Sequence, residues 1–402
     1  MASIRKKPNS KYWYACYDQK DGQRTQVSTK STDRKVALRV ALQYEDAVRE
    51  ARLGVLVESS ARKNIDKIYE FGGSPIGNSR VKLTNIDDCT SKNYIKKGEI
   101  PLEVAANQLV KDGVTILHTI GGDDTNTTAT DLSNYLKENN YDLTVVGLPK
   151  TIDNDVFPIS QTLGAWTAAE QGAIFFENIV NENTTSDRQL IIHEIMGRNC
   201  GWLTAATANE YRKRLNNVSF VPEIGITREK WDIHSILLPE ENIDFNKECD
   251  KLNKIMDKHD CVNIFLSEGA GLDTIVKETE KEGGEVLRDA FGHVRLDDLN
   301  PGQWFAKQFA KRLKANKVLV QKSGYYGRSA KSNKKDLELI FNLADRAVES
   351  ATNGESGVIG HDENNNNKLS CINFSRIKGG KPFDTNVGWY QNMIKEINKI
   401  EK

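Results

Sequence analysis

Two apolar runs, each closed by a short polar loop, constrain this chain more than any other feature. Val114-Thr-Ile-Leu-His-Thr-Ile120 ends in Gly121-Gly122-Asp123-Asp124-Thr125, and Leu143-Thr-Val-Val-Gly-Leu148 ends in Pro149-Lys150-Thr151-Ile152-Asp153-Asn154-Asp155. Short β-rich runs separated by a helical stretch, Asn126 to Asn139, predict a βαβ unit with parallel strands. Such crossovers put both loops at the carboxyl ends of neighbouring strands, where open α/β sheets bind ligands. Four carboxylates, a lysine and two glycines would then converge on one crevice. That composition suits phosphoryl transfer: glycines for close backbone approach, an Asp for a metal, a Lys for phosphate charge, an Asp to take a proton. Taken singly, either loop is equally well explained as turn chemistry. Their shared register after two apolar strands is what argues for a site.

Composition sets the limits. A chain of 402 residues exceeds the usual range of a single core, so two or more domains are expected. Formal charge is zero overall, but residues 1–60 hold twelve Lys/Arg against seven Asp/Glu, a locally basic start that hints at nucleic-acid contact. The six cysteines (Cys16, Cys89, Cys200, Cys249, Cys261, Cys371) show no Cys-x-x-Cys pair and no nearby His spacing. Free thiols in a reducing compartment are expected, not a disulfide frame or a zinc site. No segment approaches a membrane span and the start has no apolar leader, so a soluble cytoplasmic protein is expected.

Along the chain, Lys11-Tyr-Trp-Tyr-Ala-Cys-Tyr17 and Gln23-Arg-Thr-Gln-Val-Ser-Thr29 read as a hairpin around Asp18–Gly22. Thr32-Asp33 can cap a following helix that ends at Gly54. From Gly72 the character changes. Residues 100–112 and Gln161 to Asn181 predict helices, and Trp202 to Tyr211 a third. Gln189-Leu-Ile-Ile-His-Glu-Ile195, Ser219-Phe-Val-Pro-Glu223 and Cys261-Val-Asn-Ile-Phe-Leu266 predict strands running into loops. Glu363–Lys368 reads as a polar hairpin tip. Alternation of strand and helix predicts an α/β class with largely parallel sheets.

Gly121–Thr125, Lys150–Asp155, Met196-Gly197-Arg198 and Glu223, in this order, resemble the phosphofructokinase family in its pyrophosphate-dependent branch, from about Gly72 to the C-terminus. The resemblance implies Rossmann-like, mostly parallel sheets in two interleaved subdomains over residues 71–402. It also implies Mg²⁺-dependent transfer from pyrophosphate to the 1-hydroxyl of fructose 6-phosphate by a homo-oligomer, dimer or tetramer. By the same resemblance Asp123 is the metal-site carboxylate, and Asp124 stands where users of ATP carry glycine, repelling a nucleotide α-phosphate. Lys150 neutralises the transferring group, and Asp153, beside Asp155, is the general base. Thr151, Ile152, Met196, Gly197, Arg198 and Glu223 line the sugar phosphate, and Tyr325 and Arg328 grip its 6-phosphate end, with Arg295 a further candidate. Gly122 and Arg80 face the donor. His293 reads as structural. The family's subunit-crossing arginine has no match in register, since Gln189 stands there with Arg188 one residue earlier.

Residues 1–70, read as a hairpin plus helix, are similar to the arm-binding segment of phage-type tyrosine recombinases (integrases), which implies a possible DNA contact. That segment stands where the family places its first strand and phosphate loop, Gly-Gly-x-x-x-Gly-x-Asn, and no such loop precedes Gly72. An alternative expectation is therefore a phosphofructokinase-like fold with impaired catalysis, joined to a DNA-binding arm.

Overall fold

The computed structural model describes residues 3–18, 23–52, 71–74, 77–79, 81–141, 143–289 and 292–400, so Arg80, turn residues 19–22 and the expected helix end at Gly54 lie outside the described residues. The chain divides into two compact units, Met1–Arg80 and Val81–Lys402.

In the first unit, β1 (Ser3–Lys6), β2 (Trp13–Asp18) and β3 (Arg24–Ser28) form an antiparallel sheet in that order. The sequence predicts only two of these strands. β1 was illegible because Ser-Ile-Arg-Lys offers a single apolar residue, the charged composition that keeps an edge strand soluble. The helix Arg34–Arg52 follows, capped by Asp33, whose carboxylate accepts from the amides of Lys35 (2.7 Å) and Val36 (2.9 Å). Its Ala37 and Ala41 are fully buried, and Tyr44 stacks on Tyr17 with ring centroids 5.1 Å apart, so the helix covers one face of the sheet.

The second unit is built on two four-stranded sheets. The first has the order β11-β10-β5-β4, with β4 Ile116–Gly121, β5 Thr144–Pro149, β10 Gly357–Asp362 and β11 Lys368–Ile372. β4, β5 and β10 run parallel, and β11 returns antiparallel through a tip at Glu363–Asn365. The second, all parallel, has the order β7-β8-β6-β9, with β6 Gln189–Ile195, β7 Ser235–Leu237, β8 Cys261–Ser267 and β9 Lys317–Lys322. Every residue of β6 and β8 is buried, as expected of central parallel strands covered on both faces. Phe176 and Tyr211 close one side of β8 around Phe265, with ring centroids 4.7 and 5.9 Å from it. Leu252, Met256, Phe305 and Phe309 fill the other side.

Two expectations need correction, and a third point concerns the edge of the first sheet. The helix after β4 begins at Asp123, three residues earlier than periodicity indicates, so Asp123 and Asp124 occupy its first turn, where the macrodipole favours acids. Ser219–Glu223 is not a strand: Pro222–Ile224 is a 3₁₀ turn closed by Gly225 at φ +77°, and the only pairing there is the isolated bridge Val221–Ile226. Among the described residues β4 is the last strand of its sheet, with Ile116 and Ile120 exposed, so no counterpart of the family's first strand pairs with it.

The sheets are tied through the helix Ala165–Ile179. The carboxylate of Asp336, fully buried, accepts from the amides of Gly164 (3.0 Å) and Thr167 (2.7 Å) and from the Thr167 hydroxyl. Asp336→Ala strands two buried amides and is expected to cost about 3 kcal/mol. Asp336→Asn should cost less, both read from the midpoint of chemical denaturation.

Candidate active site

Register fixes the first part of the site. In β4 and β5, Gly121 pairs with Pro149, so the two loops leave the sheet at one level. The Lys150 amide donates to Gly121 O (2.7 Å), and Asn126 Nδ2 donates to the carbonyls of Gly121 (3.1 Å) and Gly122 (2.8 Å). A Cβ on Gly121 would lie 2.2 Å from Thr125 Oγ1, so only glycine passes there. The second loop is held from within. The Asp153 amide donates to Thr151 Oγ1, Thr162 donates its hydroxyl to Thr151 O (2.7 Å), and its amide to Asn154 Oδ1 (2.8 Å). Ile152 packs into the core, next to Gly164.

The second sheet supplies the cations. After β6, Gly197 adopts φ +136° with its would-be Cβ 2.4 Å from Cys200 O, which fixes the course of Met196-Gly197-Arg198. Ser267 Oγ donates to Gly197 O (2.6 Å). Arg198 donates from Nη2 to Val294 O (3.2 Å), while its Nε is buried with no partner. After β9, the short helix Gly324–Arg328 sits against Met196 and presents Tyr325, 72% exposed, and Arg328. His193 braces this turn: its Nε2 lies 2.8 Å from Ser323 Oγ, and burial pushes its pKa down to about 3, so it stays neutral.

Electrostatics joins the two groups. Burial raises the pKa of Asp123, with the neighbouring Asp124 charge adding to it, and burial likewise raises that of Asp124. Asp153 is raised by burial against the opposing pull of Arg328 and Arg198. Asp155 is pushed up to about 7 by burial and then by Asp153 and Asp123. Lys150 is lowered, first by partial burial and then by the charge of Arg328. Two cations that oppose each other, with no acid bridging them among the described residues, make an anion site. The crowded carboxylates alongside could serve a cation, although among the described residues no three acidic, Cys or His side chains form a metal-holding group, and Oδ1 of both Asp153 and Asp155 is buried without a hydrogen-bond partner.

Asp123, Asp124, Lys150, Asp153, Asp155, Arg198 and Arg328 are thus brought together, with Gly122, Thr151, Ile152, Met196 and Gly197 in the framework that holds them. Glu223 stands apart, exposed in its 3₁₀ turn, and none of these interactions reaches it. Arg295 turns to Asp298 (3.0 Å). His293, read from sequence as structural, faces the Asp123–Asp124 pair and lowers both their pKa values. Glu268, at the tip of β8, was missed. Burial and Asp153 push it to about 7, and it accepts from the Gly197 amide (3.3 Å). Its signal was an acid directly after an apolar strand, in Ser-Glu-Gly-Ala-Gly271.

Comparison with known proteins fits this geometry. The profile of the family described as Phosphofructokinase matches residues 42–351, beginning inside the helix Arg34–Arg52. The pyrophosphate–fructose 6-phosphate 1-phosphotransferase of Methylomonas methanica is 59% identical over 343 residues, 85% of this chain and 84% of that protein. The protein of the same name from Propionibacterium freudenreichii subsp. shermanii is 55% identical over 340 residues, again 85% and 84%. The crystal structure of pyrophosphate-dependent phosphofructokinase from Marinobacter aquaeolei superposes with a TM-score of 0.54 at 20% identity, over 80% of this chain and 74% of that one, a likeness of fold.

Asp155 and Glu268 hold their protons up to about pH 7 when folded, but lose them near their ordinary values when unfolded. The ligand-free folded state therefore binds more protons in that window, and its stability falls as pH rises from about 4 to about 7. Asp155→Asn is expected to flatten this fall, measured as melting temperature against pH by circular dichroism. An unchanged slope would refute the carboxylate crowding.

Proposed function

This chain belongs to the phosphofructokinase family, and we propose that it transfers a phosphoryl group from pyrophosphate to the 1-hydroxyl of fructose 6-phosphate, giving fructose 1,6-bisphosphate and phosphate. The observation that carries this reading is the joining of Asp124 and Lys150 to the Asp153–Arg198–Arg328 cluster. Asp124 puts a carboxylate in the first turn of the helix after β4, where a nucleotide's α-phosphate would meet it and be repelled. Lys150, with no acid bridging it to Arg328, is free to take the charge of a compact diphosphate.

Asp153 acts as the general base for the sugar hydroxyl. Its buried, unpartnered Oδ1 can accept the proton, and Arg198 and Arg328 oppose the rise in its pKa that burial causes. Arg198 and Arg328 bind the anionic ends of the reactants, and the exposed Tyr325 closes over the sugar phosphate from the same turn as Arg328. The donor set suits Mg²⁺: hard carboxylates raised by burial and then by their neighbours, with Asp123 the ligand and Asp155 next to it. Among the described residues no three or more acidic, Cys or His side chains form an all-protein cage. Mg²⁺ needs none, since it takes one or two carboxylates and leaves the rest to phosphate and water. When bound, the ion neutralises charge on the donor.

Purified full-length protein should form fructose 1,6-bisphosphate with pyrophosphate and not with ATP in a coupled assay. Failure with both donors would overturn the reading. Asp153→Asn should lower kcat by about 10²–10⁴ while the KM for fructose 6-phosphate changes little, the signature of a lost general base. Asp124→Gly with Lys150→Gly should weaken use of pyrophosphate, and an unchanged donor preference would remove the roles given to those two side chains.

A second activity is favoured by the first unit. With the helix on the Tyr17 face, the cross-strand sets Arg5–Tyr14–Ser28, Cys16–Gln26 and Asp18–Arg24 lie on the opposite face, and the Lys7 ammonium sits 4.2 Å over the Tyr14 ring. Basic and aromatic side chains on a sheet face suit a nucleic-acid backbone. The full chain should shift duplex DNA at low salt and release it as salt rises, and Arg5→Ala with Lys7→Ala should weaken that binding. No shift at low salt would exclude it.

A further inference from the structure

Lys378-Gly379-Gly380-Lys381 carries none of the roles above, yet it forms a wall of the site. Gly379 lies directly against Asp123: a Cβ at Gly379 would fall 1.5 Å from Asp123 Oδ1, 1.8 Å from Cγ and 2.1 Å from Oδ2. The carboxylate thus occupies the very space a side chain at 379 would fill. No separation below 3.0 Å is tolerated by a real Cβ, so one partner would have to move.

The loop is poorly placed to retreat. Lys378 and Phe157 exchange two backbone hydrogen bonds, Phe157 N to Lys378 O at 2.8 Å and Lys378 N to Phe157 O at 3.1 Å. The Lys381 amide donates to Asp155 O (2.8 Å), inside the loop that carries the base. The Lys381 ammonium, only 15% exposed as a side chain, donates to Ile159 O (2.6 Å) and pairs with Glu363 (2.9 Å). The Phe383 amide and the Gly201 amide share Glu240 Oε1, at 2.7 and 2.8 Å. Segment 378–383 is therefore clamped to the Asp153–Phe157 loop at one end and to the start of the helix Trp202–Leu215 at the other. Between a clamped backbone and the terminus of a short side chain, the side chain gives way.

We propose that Gly379 is a positioning residue for phosphoryl transfer: having no side chain, it sets where the Asp123 carboxylate stands relative to Asp153 and Asp155, and so where the donor's cation is held. This rests on the function proposed above. Sequence could not show it, because residues 123 and 379 lie 256 positions apart and a Gly-Gly pair reads as an ordinary turn. Gly380 does adopt φ +67°, but nothing stands within 4 Å of its would-be Cβ, so turn geometry accounts for Gly380 and not for Gly379.

The test is a cycle of Gly379→Ala, Asp123→Ala and the double variant, with Gly388→Ala as control, where nothing stands within 4 Å and φ is ordinary. In ligand-free thermal unfolding, Gly379→Ala should lower the melting temperature clearly in the wild-type background and much less in Asp123→Ala, because the carboxylate that fills the space is then gone. In turnover, Gly379→Ala should lower kcat by about a hundredfold and raise the Mg²⁺ concentration for half-maximal rate at least about fivefold, with the fructose 6-phosphate KM within about twofold. Gly388→Ala should change none of these. Equal thermal effects in both backgrounds, or an activity loss with unchanged Mg²⁺ dependence, would overturn the proposal. Wild-type protein inactive with pyrophosphate would instead overturn the function, and the thermal cycle would still report on the placement of Asp123 by itself.

Discussion

Crowding of carboxylates at the strand tips is the constraint on which the rest of this structure turns. Asp123, Asp124, Asp153, Asp155 and Glu268 are each raised, with burial the largest cause every time. Taking ionised carboxylates out of water is unfavourable, and gathering them makes it worse. The fold sustains the arrangement because it satisfies the backbone of these loops elsewhere. Thr151, Asn154, Asn126 and Thr162 take up the polar groups of the turns, and Lys381 reaches Asp155 O. The strain is therefore confined to charge, which a bound cation can relieve without moving the chain.

The two sheets divide the labour by sign. β4 and β5 end in acids and one lysine, whereas β6 and β9 lead into Arg198 and Arg328. β8 adds Glu268, which ties the Gly197 amide and keeps the arginine loop in place. Neither set is balanced alone: burial and then the charge of Arg328 lower Lys150, Arg198 Nε has no partner, and Asp153 and Asp155 each leave an oxygen unpaired. A reaction that brings a multiply charged diphosphate with its cation supplies both missing signs at once. Such preorganisation is what phosphoryl transfer asks of a protein, since the chemistry needs positioning more than a strong base.

Legibility followed the range of the interaction. The loops after β4 and β5 were readable because each follows its own strand directly, and β6 and β8 because buried parallel strands are continuously apolar. Boundaries were less so: Asp123 and Asp124 look like loop residues by composition, yet the helix dipole draws them into its first turn. Pro222 and Gly225 converted an apparent strand at Ser219–Glu223 into a tight turn, and with it left Glu223 exposed. The placement of His293 against Asp123 and Asp124 was out of reach because those neighbours come from a distant segment, whereas Glu268 was signalled as an acid directly after an apolar strand. The contact of Gly379 with Asp123 is the extreme case, a site feature made by the absence of atoms.

The inner edge of β4 explains why the acids keep their places without a strand on the outer side among the described residues. Ile116 and Ile120 are 39% and 51% exposed, and no strand among the described residues pairs beyond them. An open edge frees one row of backbone groups, but the position of Asp123 is set from the inner side. Six residues of β4 pair in register with β5, and the final pair, Gly121 with Pro149, is locked by the Lys150 amide on Gly121 O. Asn126 then folds the first helical turn back onto the same carbonyl. Each of those bonds comes from β5, its loop or the following helix, so the outer edge has no hold on the loop.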